Sequence, residues 1–104
     1  MTLRDSRVAT RLPAQDLERA RAFYADRLGL EPVDERPGGL LYRVGGGEFA
    51  LFLSAGRASG DHTQMGFEVA DLEATVAELS ARGERAVWFR DSEGNLLGIG
   101  QRIV

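Results

Sequence analysis

The chain has no cysteine, no lysine, one histidine and one tryptophan among its 104 residues. Without Cys there is no disulfide, no iron–sulfur cluster, no thiolate zinc site and no CxxC redox pair. Nothing therefore calls for an oxidising compartment. All 13 basic residues are Arg, a bias that reads as genomic base composition rather than function. The net charge of −3 carries no clustered basic face, which argues against a nucleic-acid partner. No apolar run approaches the ~20 residues of a membrane span. The start, Met1-Thr2-Leu3-Arg4-Asp5, lacks the apolar core of a secretion signal. One soluble cytoplasmic domain over residues 1–104, with no membrane or nucleic-acid partner, is the expectation.

What is present is a repeat. Asp16-Leu17-Glu18-Arg19-Ala20 is echoed 55 residues later by Asp71-Leu72-Glu73-Ala74-Thr75. Each Asp stands where a helix N-cap belongs, ahead of apolar residues spaced near 3.6. Leu17, Ala20, Tyr24 and Leu28 form one stripe, with Phe23 beside it; Leu72, Val76 and Leu79 form the other. Gly29 and Gly83 follow as left-handed caps. Before each Asp lies a period-two segment, from Arg7 to Leu12 and from Gln64 to Val69. Thr10, Leu12 and Ala14 correspond to Met65, Phe67 and Val69, and should face the helices.

Three short strands follow the first helix, near residues 30–34, 40–44 and 48–54. Pro37-Gly38-Gly39 and Gly45-Gly46-Gly47 turn between them. The first module, about 1–57, thus reads β-α-β-β-β. The second, about 61–104, has room after Gly83 for only one hairpin, residues 85–90 and 95–104. It is one strand short. Either the sheet is abbreviated, or a segment near Gly83-Glu84 is absent from the numbered sequence.

A tandem β-α-β-β-β pair resembles the vicinal oxygen chelate family of glyoxalase I, bleomycin-resistance proteins and extradiol dioxygenases. Asp16-Leu17-Glu18-Arg19-Ala20-Arg21-Ala22-Phe23-Tyr24, followed by Leu28-Gly29-Leu30, is similar to that family's first helix and its exit. Met65-Gly66-Phe67-Glu68-Val69-Ala70-Asp71-Leu72 is similar to its fifth strand and second helix start. Trp88-Phe89-Arg90-Asp91-Ser92-Glu93-Gly94-Asn95-Leu96-Leu97 resembles its closing hairpin. The resemblance implies an α+β fold of tandem βαβββ modules. They would form a curved, cleft-bearing mixed sheet with helices on the convex side.

Family enzymes hold a divalent metal on the concave face. Carried over by the resemblance, the four ligand positions fall on Ala9, Phe52, Gln64 and Gly98. Ala, Phe and Gly offer no side-chain donor, and one amide oxygen cannot hold a metal that needs about three protein ligands. No metal and no cofactor are therefore expected. His62 sits in a polar inter-module loop, Ser59-Gly60-Asp61-His62, and reads as an exposed loop residue. With no other histidine, a Ser-His-Asp arrangement is excluded.

The expected ligand-binding cleft is Ala9, Arg11, Phe52, Gln64, Gly66, Glu68, Trp88 and Gly98. Small residues clear space, polar ones orient a ligand and aromatics supply area. Trp88 enters through the turn: a three-residue loop with left-handed Gly94 pairs Asp91 with Asn95 and sets Trp88 across from Gly98. Glu68 and Arg11 are the candidates for catalysis, as general base and anion binder; the blander reading is a solvated rim pair. Gly45-Gly46-Gly47 lacks a following Lys-Ser/Thr and reads as a hairpin turn. Phe23 and Tyr24 read as core. Asp91, Glu93 and Asn95 lie in a turn too short to supply six oxygens to calcium.

Three functions remain. The first is a metal-free protein that binds a small organic molecule, with a second copy of itself as partner. The second is a lyase or isomerase using Glu68 and Arg11, or a metal-dependent lyase or dioxygenase if the ligand positions are mistaken. The third is a structural homodimer with a vestigial cleft.

Overall fold

The computed structural model describes residues 3–58, 60–84 and 86–101. Strands β1 (Thr10–Ala14), β2 (Asp34–Arg36), β3 (Gly39–Val44) and β4 (Gly47–Leu53) form one sheet in the order β1-β4-β3-β2. Strands β5 (Met65–Val69), β6 (Trp88–Arg90) and β7 (Leu96–Gln101) form a second, in the order β5-β7-β6. The sheets share one plan: β1 and β4 run parallel, as do β5 and β7, and β3 pairs antiparallel to β4 as β6 does to β7. Among the described residues the second sheet has no counterpart of β2. The fold is α+β, with both sheets open.

The helices α1 (Leu17–Phe23) and α2 (Leu72–Ala81) begin alike. Asp16 accepts from the Arg19 N–H at 3.0 Å, and Asp71 from the Ala74 N–H at 3.1 Å, both from extended backbone. These bonds satisfy N–H groups that the helix itself leaves unpaired. Beyond Phe23 the helix widens into a π-turn, Tyr24–Leu28, closed by Gly29 at φ +71°. After α2 the chain turns at Gly83, φ +105°. Only residues 82–87 separate α2 from β6, too few for another paired strand and its turns.

The helix-facing sides carry the core: Leu12, Leu40, Tyr42, Phe49 and Leu51 in the first sheet, Met65, Leu97, Ile99 and Phe89 in the second. Ala20 and Tyr24 meet them from α1 and Leu79 from α2. Phe49 meets Phe67 edge-on at 6.2 Å between centroids, so the modules join through these sides.

Three boundaries differ from the sequence reading. The first strand begins at Thr10 rather than Arg7: its ladder with β4 starts with Thr10 across from Phe49. Val8 is left exposed. Residues 30–33 are not strand: the Leu30 N–H closes the π-turn on Tyr24 O, and Pro32 has no N–H to donate. The closing hairpin is strand only from Trp88 to Arg90 and from Leu96 to Gln101. Arg85, Arg102, Ile103 and Val104, included in the expected hairpin, lie outside the described residues.

Candidate functional site

The faces turned away from the helices hold most of the candidate residues, and strand register decides their neighbours. Arg11 pairs with Ala50, and Pro13 with Phe52, in the parallel β1–β4 ladder. Phe52 is therefore the diagonal neighbour of Arg11 on one face. The Ala50 methyl between them leaves room for the Arg11 guanidinium to lie 5.6 Å from the Phe52 ring centroid. Together with Arg36, Gly39, Leu41 and Ala50 they line a shallow recess of about 260 Å³. Ala9 is exposed one residue ahead of β1.

On the second sheet Gly66 and Trp88 both stand across from Gly98, and Glu68 across from Gly100. The turn has the register read from its sequence. The Asp91 N–H donates to Asn95 O at 2.9 Å, Gly94 has φ +90°, and Trp88 faces Gly98. The indole lies directly on Gly98: a Cβ there would be 3.1 Å from Trp88 Cδ1 and Nε1. Trp88 is nonetheless 64% exposed. Gly66 and Glu68 line a separate recess of about 510 Å³ with Thr10, Glu48 and the Gly45–Gly46 turn. Glu48 there is held below the usual carboxylate range by Arg43 and Arg7.

Arg11 and Glu68 thus sit in different recesses, and no ion pair joins them. Gln64 is committed elsewhere: its Nε2 donates to Asn95 Oδ1 at 3.2 Å, and its Oε1 accepts from the Leu96 N–H at 3.3 Å. His62 is exposed in the loop before β5.

These residues do not fit a divalent metal. Of the four ligand positions implied by the resemblance, Ala9 has no donor, Phe52 lies beneath a guanidinium, Gly98 lies beneath an indole, and the Gln64 amide braces a hairpin. Among the described residues no three His, Cys, Asp or Glu side chains cluster to replace them.

Sequence reasoning missed two groups. Leu41 and Gly39, which complete the Arg11 recess, were legible from the hairpin register set by Gly45-Gly46. The other is a buried polar cluster at the closing turn. Tyr24 Oη donates to Asp91 Oδ2, and Asn95 Nδ2 donates to the same oxygen and to Pro13 O. Glu93 accepts from the backbone N–H groups of Gln15 and Asp16 and pairs with Arg19 at 2.7 Å. No periodicity marks a polar residue for burial.

A protein from Alicyclobacillus acidocaldarius described as glyoxalase/bleomycin resistance protein/dioxygenase superposes with a TM-score of 0.75 at 19% identity, covering 96% of this chain and 93% of that one. A lactoylglutathione lyase from Agrobacterium tumefaciens superposes at 0.67 with 26% identity, covering 93% of each chain. An antibiotic-binding protein from Streptomyces sp. CB03234 superposes at 0.68 with 21% identity, covering 94% and 97%. Among curated proteins none matches the sequence significantly. The family model for the Glyoxalase/Bleomycin resistance protein/Dioxygenase superfamily matches residues 7–99, nearly the whole chain. The chain belongs to that superfamily.

Proposed function

We propose that this protein binds a small organic molecule without a metal, and does so as a homodimer. The observation that carries the reading is the fate of the four ligand positions. Each is apolar, side-chain-free or already bonded, while the surrounding surface keeps two aromatic rings and open glycines. Such a surface suits binding better than Lewis-acid chemistry. An antibiotic-binding protein shares the fold.

How the modules meet supports the dimer. Phe49 and Phe67 join them through their helix-facing sides, while Phe52 lines a recess apart from the one that holds Gly66 and Glu68. A second copy can set its Trp88 face opposite the Phe52 face of the first, enclosing a cleft that one chain leaves open. The separation of Arg11 from Glu68 into different recesses weighs against a paired acid–base role for them.

Metal analysis and ligand screening test the reading together. Protein purified without an affinity tag is expected to hold substoichiometric Zn, Ni, Mn and Fe, with thermal stability unmoved by chelator. A thermal-shift screen should find organic ligands that bind saturably without turnover. One tightly held metal per chain with Gln64 among its ligands would overturn the reading. So would pH-dependent turnover lost in Glu68→Gln.

A further inference from the structure

Arginines on the strands of this protein are accounted for by carboxylates, with one exception. Arg36 holds Asp34 at 3.2 Å, Arg43 holds Glu48 at 2.7 Å and Arg90 holds Asp61 at 2.8 Å. Arg11 has no carboxylate partner among the described residues; it lies over Phe52 instead. On the outer face of the first sheet, four guanidiniums, those of Arg7, Arg11, Arg36 and Arg43, therefore meet two carboxylates, Asp34 and Glu48. A chain of net charge −3 carries a cationic patch here.

We propose that the Arg11–Phe52 face binds the carboxylate of a flat aromatic acid, with the ring of the ligand over Leu41 and Ala50, beside Phe52. The inference rests on the reading of this face as a ligand cleft and names the ligand class. An exposed guanidinium beside a ring, with no carboxylate partner among the described residues, keeps N–H groups that match two carboxylate oxygens at once. Contact with the ring also restrains the long side chain in advance, so less conformational freedom is lost when the ligand arrives. The floor is apolar and partly exposed, as a ring requires. Space is kept by Gly39: a Cβ there would meet nothing nearer than Leu51 O at 3.7 Å, so its absence leaves the recess open rather than relieving a clash. A volume of about 260 Å³ suits one or two fused rings.

The probes are 2-naphthoate and its neutral isostere 2-naphthamide, titrated calorimetrically. Wild type is expected to bind the acid about tenfold more tightly than the amide, the value of charge-assisted hydrogen bonds over neutral ones. In Arg11→Gln the acid should fall to the level of the amide while the amide changes little. Arg11→Lys, which keeps the charge but not the fork, should fall between. Gly39→Leu should abolish both by filling the recess; circular dichroism checks that each variant is folded. Equal affinity for acid and amide in wild type, or acid binding indifferent to Arg11→Gln, would overturn the ligand class and leave the cleft reading standing. Failure of both probes, together with an empty thermal-shift screen, would overturn both.

Discussion

Tyr24 and Asp91, 67 residues apart in sequence, share a buried hydrogen bond of 2.7 Å from phenol to carboxylate. Burial and the neighbouring carboxylate push the phenol above its usual range, so it remains the donor. Tyr24→Phe deletes the donor and leaves Asp91 with Asn95 and backbone partners only. The expected loss is about 1–2 kcal/mol, read as a lower urea midpoint at unchanged slope. An unchanged midpoint would show that Asp91 does not depend on Tyr24.

Glu93 gives the fold an acid-sensitive contact. Its carboxyl is drawn down to about 2 from an ordinary value of 4.5, chiefly by the hydrogen bond from Arg19, against the opposing effect of burial. A depressed carboxyl contributes stability in full above the unfolded value and loses it as pH falls from about 4.5 towards 2. Stability of the wild type should therefore drop through that window, and the drop should be shallower in Glu93→Gln. Denaturant titrations at pH 6, 4 and 3 compare the two, and parallel curves would refute the assignment.

Gly98 tests the seat of the indole. In Gly98→Ala the new methyl would lie 3.1 Å from Trp88, which must give by a few tenths of an ångström, and its place on an edge strand among the described residues lets it shift outward. Acrylamide quenching of the single tryptophan should rise, while the overall fold, read by circular dichroism, is kept. Unaltered quenching would mean that the indole does not rest on Gly98.

The two-chain cleft predicts a dimer at micromolar concentration in sedimentation velocity. Ligand binding should also strengthen association, since both copies would contact the ligand. A monomer at all accessible concentrations would remove the partner from the site.

Much of the architecture was legible because it rests on local chemistry. Asp16 and Asp71 announce their helices, and the alternation through Leu12 and Phe67 fixes which side meets them. The Asp91–Asn95 turn even set Trp88 across from Gly98. Strand ends were less legible, since where β1 begins depends on a partner nearly forty residues away. The candidate site was harder still. Residue types named Arg11 and Glu68 as a pair, but register and module packing placed them in separate recesses. Gln64 looked available until the hairpin took both ends of its amide. Such competition between a side chain and distant backbone leaves no mark on the sequence around it.

The contacts of the closing turn span the chain: Arg19 to Glu93 over 74 residues, Asn95 to Pro13 over 82. The ladders of the first sheet, by contrast, join residues within about forty of one another. Closing long loops is slow, so the first module has the means to assemble early while the turn docks last. Contacts formed after the transition state govern how fast a protein comes apart rather than how fast it forms. On that basis the polar cluster is the latch of the folded chain: weakening it should shorten the lifetime of the native state and leave the folding rate nearly as it was.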